Sequence, residues 1–280
     1  MRLGAARFVA GETLDEAVAV LRALNERGLR ANTTILGEHV GDEAGAAEVA
    51  AAYEEVLRRL ASERLRANVA LKLTHLGLDL GEDLAAGHLG RLLAVAAQLG
   101  LFVRIDMEES ARVDATLRVY RRLRGEGHEN VGVVLQSYLY RSEDDLAALL
   151  PLAPNVRLVK GAYREPPSVA YPRKADVDAA YVRLLERALV GAAFTAVATH
   201  DRRLIDHALA FTAAHGVPRE RFQLQMLYGV RPQLQLELAR RGFDVLVATP
   251  FGPDWYPYLM RRLAERPANV LFFAGSLLRR

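Results

Sequence analysis

Apolar and polar positions recur along this chain in one order: a short apolar run, a turn, then a longer segment with apolar residues at helical spacing. Eight runs have strand length, at Ala31–Leu36, Asn68–Leu73, Phe102–Asp106, Val131–Gln136, Val156–Lys160, Thr195–Thr199, Phe222–Gln225 and Asp244–Ala248. Amphipathic segments follow them at Asp42–Arg66, Glu82–Leu99, Ala111–Arg124, Glu143–Leu150, Ala175–Val190, Arg202–His215, Arg231–Arg241 and Asp254–Arg266. One more helix is predicted ahead of the first strand, at Thr13–Arg27. Thr13, Asp42, Ser110, Ser142 and Asp201 each stand just before a periodic segment and are expected to cap it. Eight βα units fit a closed parallel sheet, an α/β fold of the (βα)8 TIM type, better than an open doubly wound sheet. The phosphate signatures of the open folds, G-x-G-x-x-G and G-x-x-x-x-G-K-[ST], do not occur. No Ser/Gly linker, charge block or low-complexity stretch divides the chain. Residues 1–280 are therefore expected to form a single barrel domain, with a short N-terminal helix leading into it.

Composition narrows the chemistry. Hydrophobic residues make up 51% and charged residues 25% of the 280, a globular balance. There is no cysteine, which excludes a disulfide scaffold, a thiolate zinc site, an iron–sulfur cluster and a cysteine nucleophile. The net charge of +3 comes from 37 Lys+Arg against 34 Asp+Glu, interspersed rather than gathered in a basic arm. Nothing in that pattern calls for nucleic acid. Neither a signal-peptide core nor an apolar run of bilayer length is found, so a cytoplasmic protein is expected. Only Lys72, Lys160 and Lys174 are lysines, which leaves 34 of the 37 basic residues as arginine. Two of those lysines lie in apolar runs, VALKL and RLVKGA.

In such a barrel the chemistry sits at the C-terminal ends of the strands. The polar residues read there are Glu38, Lys72, Asp106, Gln136, Arg157 with Lys160, Thr199 with His200, and Gln223 with Gln225, while Arg261 and Arg262 fall on the last helix. Several have a plain structural role open to them. Asp106 and Asp201 could serve only turns and caps, His200 could be a hydrogen-bonded core histidine, and the arginine pair a solvated helix face. Lys72 and Arg157 differ, because a cation inside an apolar strand needs an anionic partner or a ligand. No metal is expected, since neither H-x-H nor H-E-x-x-H occurs.

From RLVKGAYREP at Arg157–Pro166 the chain resembles the proline dehydrogenases, flavin-dependent barrel enzymes of proline degradation. The resemblance runs from RFVAGET at Arg7 through LGE at Leu36–Glu38, LKL at Leu71–Leu73, DME at Asp106–Glu108 and VLQSYLYR at Val134–Arg141. It continues in ATHD at Ala198–Asp201, FQLQMLYG at Phe222–Gly229 and YLMRR at Tyr258–Arg262. It implies FAD at the barrel mouth and oxidation of L-proline to Δ1-pyrroline-5-carboxylate by hydride transfer to flavin N5. Carried over, Lys72, Arg261 and Arg262 bind the substrate carboxylate, and Asp106 and Arg157 are active-site residues, Arg157 near the reactive nitrogen. Met107, Gln136, Arg157, Lys160, Gly161, Ala162, Thr199, His200 and Gln225 contact the flavin, and Glu38 is the gate that can pair with an arginine of the site. A quinone acceptor follows from the same resemblance, with peripheral contact at the inner face of the cell membrane.

General chemistry agrees with parts of this reading. A pyrophosphate without a dinucleotide fingerprint needs other donors, and Lys160–Gly161–Ala162 offers a cation and a small-residue turn. Thr199–His200 stands before a helix whose dipole favours an anion. A desolvated carboxylate suits planar arginine forks. Two departures stand out: Ala248 replaces a tyrosine common in relatives two residues before the strand-eight proline, and the chain is expected to lack the extra helices that bacterial relatives usually carry ahead of RFVAGET. Rival readings are a methylenetetrahydrofolate reductase-like flavin barrel, a Schiff-base aldolase using Lys72 or Lys160, and a non-catalytic scaffold.

Overall fold

Each strand pairs in parallel with the next, and the eighth returns to the first, giving a closed barrel in the order β1 to β8. The strands are β1 (Arg30–Ile35), β2 (Ala67–Leu71), β3 (Val103–Ile105), β4 (Val131–Gln136), β5 (Asn155–Val159), β6 (Phe194–Ala198), β7 (Phe222–Leu227) and β8 (Val245–Phe251). This computed structural model describes residues 8–253 together with Trp255. The helices among them are α1 (Leu14–Glu26), α2 (Glu43–Ser62), α3 (Glu82–Gln98), α4 (Val113–Gly125), α5 (Ser142–Leu149), α6 (Lys174–Gly191), α7 (Arg202–Ala214) and α8 (Pro232–Arg240). Apart from Trp255, the helix read at Asp254–Arg266, with Arg261 and Arg262, lies outside the described residues. The barrel class read from the alternation is the one observed.

Local chemistry accounts for the element ends. Thr13 caps α1 through a reciprocal box: Glu16 N–H donates to Thr13 Oγ1 at 3.3 Å, and Thr13 N–H donates to Glu16 Oε2 at 3.1 Å. Asp42 caps α2 by accepting Gly45 N–H at 2.8 Å, and Asp201 caps α7 by accepting Arg203 N–H at 3.1 Å. Ser110 and Ser142 do not cap. Ser110 opens a 3-10 turn, Ser110–Arg112, and turns its hydroxyl to another loop. Ser142 is already inside α5, where its hydroxyl donates to Gln136 O at 2.6 Å. Proline leads α8, a position where its missing N–H costs nothing.

The helices bury one stripe each against the outside of the barrel, as Ala17, Val18, Leu21 and Leu24 do on α1. All six residues of β4 are buried. The ladder that closes the barrel pairs Arg30 with Leu246 through Ile35 with Phe251. Two threonines reinforce it: Thr249 Oγ1 donates to Asn32 O at 2.8 Å, and Thr33 Oγ1 to Thr249 O at 3.2 Å.

Candidate active site

Residues two apart on a strand share a face. Arg104 and Asp106, Asn155 and Arg157, and Gln223 and Gln225 form such pairs on β3, β5 and β7 or just past their ends. Hydrogen bonds join them across the barrel. Arg157 donates from Nη2 to Asp106 Oδ1 and from Nη1 to Gln225 Oε1 at 3.3 Å. Gln225 Nε2 donates to Gln223 Oε1 at 2.7 Å, and Gln223 Nε2 to Asp244 Oδ2 at 2.7 Å. Side chains from alternate strands meet in this way only inside a closed barrel. One layer lower, Arg104 donates to Asn155 O at 2.8 Å, to Val133 O at 3.2 Å and to Asn155 Oδ1. Burial and the neighbouring charge of Arg157 bring the Arg104 guanidinium down to about 9. Its path is open because position 132 is glycine: a Cβ there would stand 2.3 Å from Arg104 Nη1.

The rim above holds the remaining polar groups. Lys72 follows β2 at 7% exposure, and its ammonium donates to Glu38 Oε2 at 2.7 Å. Lys160 follows β5 and bridges Asp178 Oδ1 on α6, at 2.6 Å, to Asp201 Oδ2 at the start of α7, at 3.5 Å. The Arg203 hydrogen bond, opposed by burial and aided by the Lys160 charge, holds Asp201 down to about 2. Thr199 Oγ1 accepts Asp201 N–H at 3.2 Å. His200 Nε2 accepts Leu227 N–H at 2.8 Å, so the ring is neutral with its proton on Nδ1. Burial, with Arg231 nearby, pushes it down to about 4. Gln136 is buried and donates to Glu108 O at 2.9 Å. Met107 is buried in the core, and Ala162 is exposed. Gly161 has φ +112°, and a Cβ there would lie 2.2 Å from the Tyr138 ring, so this turn admits glycine alone.

The residues singled out from the sequence therefore fall into linked groups. Asp106, Arg157, Gln225 and Gln223 form one network, Glu38 and Lys72 a second, and Lys160, Asp201 and Thr199 a third. Ala248 is half-buried on β8, and its carbonyl accepts Tyr228 N–H at 2.9 Å. Some groups escaped the sequence reading. Arg104 had a signal, since it stands two residues before Asp106. Glu108 and His75 had none. Glu108 is 1% exposed and accepts both the N–H and the O–H of Thr74; burial pushes its carboxyl up while those bonds pull it down. His75 is buried beside Gly37 and pushed down to about 4 by burial and the Lys72 charge.

A parallel barrel with buried cations, carboxylates and amides converging at the C-terminal ends of its strands has the build of a barrel enzyme. A family model described as proline dehydrogenase matches residues 17–274. Proline dehydrogenase 1 of Bacillus subtilis (strain 168) is 43% identical over 279 residues, covering 100% of this chain and 92% of the relative. Proline dehydrogenase of Deinococcus radiodurans is 44% identical over 279 residues, covering 98% and 90%. A crystal structure of proline utilization A (PutA) from Bdellovibrio bacteriovorus inactivated by N-propargylglycine superposes with a TM-score of 0.86 at 26% identity, over 94% of this chain. This chain spans 32% of that much longer one. The chain belongs to the proline dehydrogenase family, and it is an oxidoreductase.

Proposed function

We propose that this protein oxidises L-proline to Δ1-pyrroline-5-carboxylate with FAD held at the barrel mouth, as one barrel domain over residues 1–280. The observation that carries the reading is the Asp106–Arg157–Gln225 network, in which half-buried Asp106 and buried Gln225 hold a buried, oriented cation directly under the rim. Such a cation is costly to bury for stability alone. The residue set suits a flavin dinucleotide: Lys160 and the Gly161–Ala162 turn for the pyrophosphate, Thr199 and His200 beside it, and Met107, Gln136 and Gln225 for the ring. When bound, the flavin supplies a hydride acceptor. The chain supplies placement and field. Arg157, fixed by Asp106, presents positive charge where negative charge gathers on reduction. Lys72 meets the substrate carboxylate together with Arg261 and Arg262. Glu38, now on Lys72, occupies the place a carboxylate ligand would take, so substrate arrival requires it to yield, which is the behaviour of a gate.

Both lysines named for an aldolase are engaged with carboxylates, whereas a Schiff-base nucleophile must be a neutral amine. Family membership also favours proline over a folate substrate. Among the described residues no helix is long and apolar enough to cross a membrane. A cytoplasmic protein passing electrons to a quinone, with peripheral contact at the inner membrane face, is part of the proposal. The test is spectroscopic. Anaerobic L-proline should bleach the flavin absorbance of the purified protein, and NADH should leave it unchanged. Bleaching by NADH alone would overturn the assignment.

A further inference from the structure

The loops after β3 and β5 are separated by the whole of β4, yet one carboxylate joins them. Glu165 accepts Ser110 N–H on Oε1 at 2.6 Å and Ser110 O–H on Oε2 at 2.6 Å. Spending both oxygens on one residue fixes the direction of approach as well as the distance. Each arm is itself anchored. On the β3 side, Gln136 holds the Glu108 carbonyl, and the Glu108 carboxylate is held by Thr74. On the β5 side, Pro166 follows Glu165 and keeps its backbone extended. The residues beyond are stitched to the β4 loop: Tyr140 N–H donates to Val169 O at 3.1 Å, Tyr171 N–H to Tyr138 O at 2.7 Å, and Tyr140 O–H to Pro167 O at 2.9 Å.

Resting on the flavin reading above, we infer that Ser110 and Glu165 form a clasp over β4. It sets the gap between the Asp106–Met107 segment and the Lys160–Ala162 turn, and both residues act as positioning residues for the cofactor. The clasp lies shortly after each of those segments in sequence, beyond the ends of β3 and β5. Below it the wall is already closed by the β3–β4 and β4–β5 ladders. A tie at this height therefore has the loops to hold, not the wall.

The holoprotein tests this directly. Serial dilution with flavin fluorescence reports cofactor release, visible circular dichroism reports the flavin's surroundings, and the melting temperature reports the fold. Glu165→Ala should weaken FAD retention about tenfold and alter the visible bands, a tenfold change being about 1.4 kcal/mol. Ser110→Ala should weaken it less, because the N–H contact survives. Ser110→Thr keeps both donors and should match the parent. Should Glu165→Ala fail to fold, Glu165→Gln, which keeps one acceptor, is read in the same way. Parent-like retention and bands with a lowered melting temperature would overturn the clasp in favour of a plain loop tie. A parent protein that retains no FAD would overturn the flavin reading itself, and that outcome appears before any variant is made.

Discussion

Arg157 rests one side of its guanidinium on Asp106 and the other on Gln225, so its plane is set by partners on two other strands. Lysine has no fork with which to hold both. Arg157→Lys should therefore behave nearly as badly as Arg157→Met, each slowing flavin bleaching in stopped flow by roughly 10²–10³, the range for removing one preorganised electrostatic donor. The Glu38–Lys72 pair allows a cleaner separation of fold from function. Lys72→Met removes a charged partner 2.7 Å from the Glu38 carboxylate and should lower the denaturation midpoint as well as kcat/KM. Losing a charged hydrogen bond to substrate is worth about 1.5–3 kcal/mol, roughly a tenfold to 150-fold loss in kcat/KM. Adding Glu38→Gln should restore stability but not the affinity for proline. Turnover of pyrrolidine, which lacks the carboxylate, should be nearly indifferent to Lys72→Met; an equal fall for both compounds would remove Lys72 from the substrate site. At this scale the cations were legible because charge inside an apolar run stands out. The pairings were not, since Asp106 and Arg157, or Ser110 and Glu165, lie more than fifty residues apart and only the closed barrel brings them together.

Elements were legible where a single periodicity governed them. The strands read from the sequence overlap the observed ones throughout; β4 coincides at both ends, and no other end is shifted by more than three residues. β2, for example, stops at Leu71, which leaves Lys72 on the rim rather than in the ladder. Caps were half legible. A serine before a periodic segment signals a helix start, but at Ser110 and Ser142 the hydroxyl has a better acceptor on another segment. Those acceptors belong to tertiary structure. Gly132 is the sharpest element-level constraint. Within β4 it reads as a mere weakening of strand propensity, yet a Cβ there would also meet Asn155 O at 2.7 Å and Phe102 Cζ at 2.7 Å. Gly132→Ala should cost about 2–4 kcal/mol in urea unfolding, as overpacking combined with displacement of the Arg104 guanidinium. Thr13→Ala, which only uncaps α1, should cost about 1 kcal/mol. Equal costs would mean that Arg104 moves aside easily.

For the whole molecule, the two most strongly depressed of three depressed histidines set an acid limit. His75 and His200 both titrate near 4 in the folded protein, against 6.5 ordinarily. As pH falls from about 6.5 toward 4, the unfolded chain binds protons at these sites that the folded chain refuses, so stability declines over that window. Melting temperatures measured across it should fall, and the slope should flatten in the His75→Gln, His200→Gln double variant. An unchanged slope would assign the decline to other groups. The closed barrel was legible from the count of eight units, but the register of its closing seam was not, because the β1–β8 ladder joins residues 30–35 to residues 246–251. That ladder has a consequence for biosynthesis. On the ribosome the first seven strands emerge, at roughly 5–20 residues per second, before their last partner exists. Until then β1 and β7 are open edges of a curled sheet, with the bonding groups of Thr33 and Asn32 that will later meet Thr249 still turned to solvent or to any passing strand. The nascent chain is thus most exposed to misassociation just before residue 251 clears the exit tunnel.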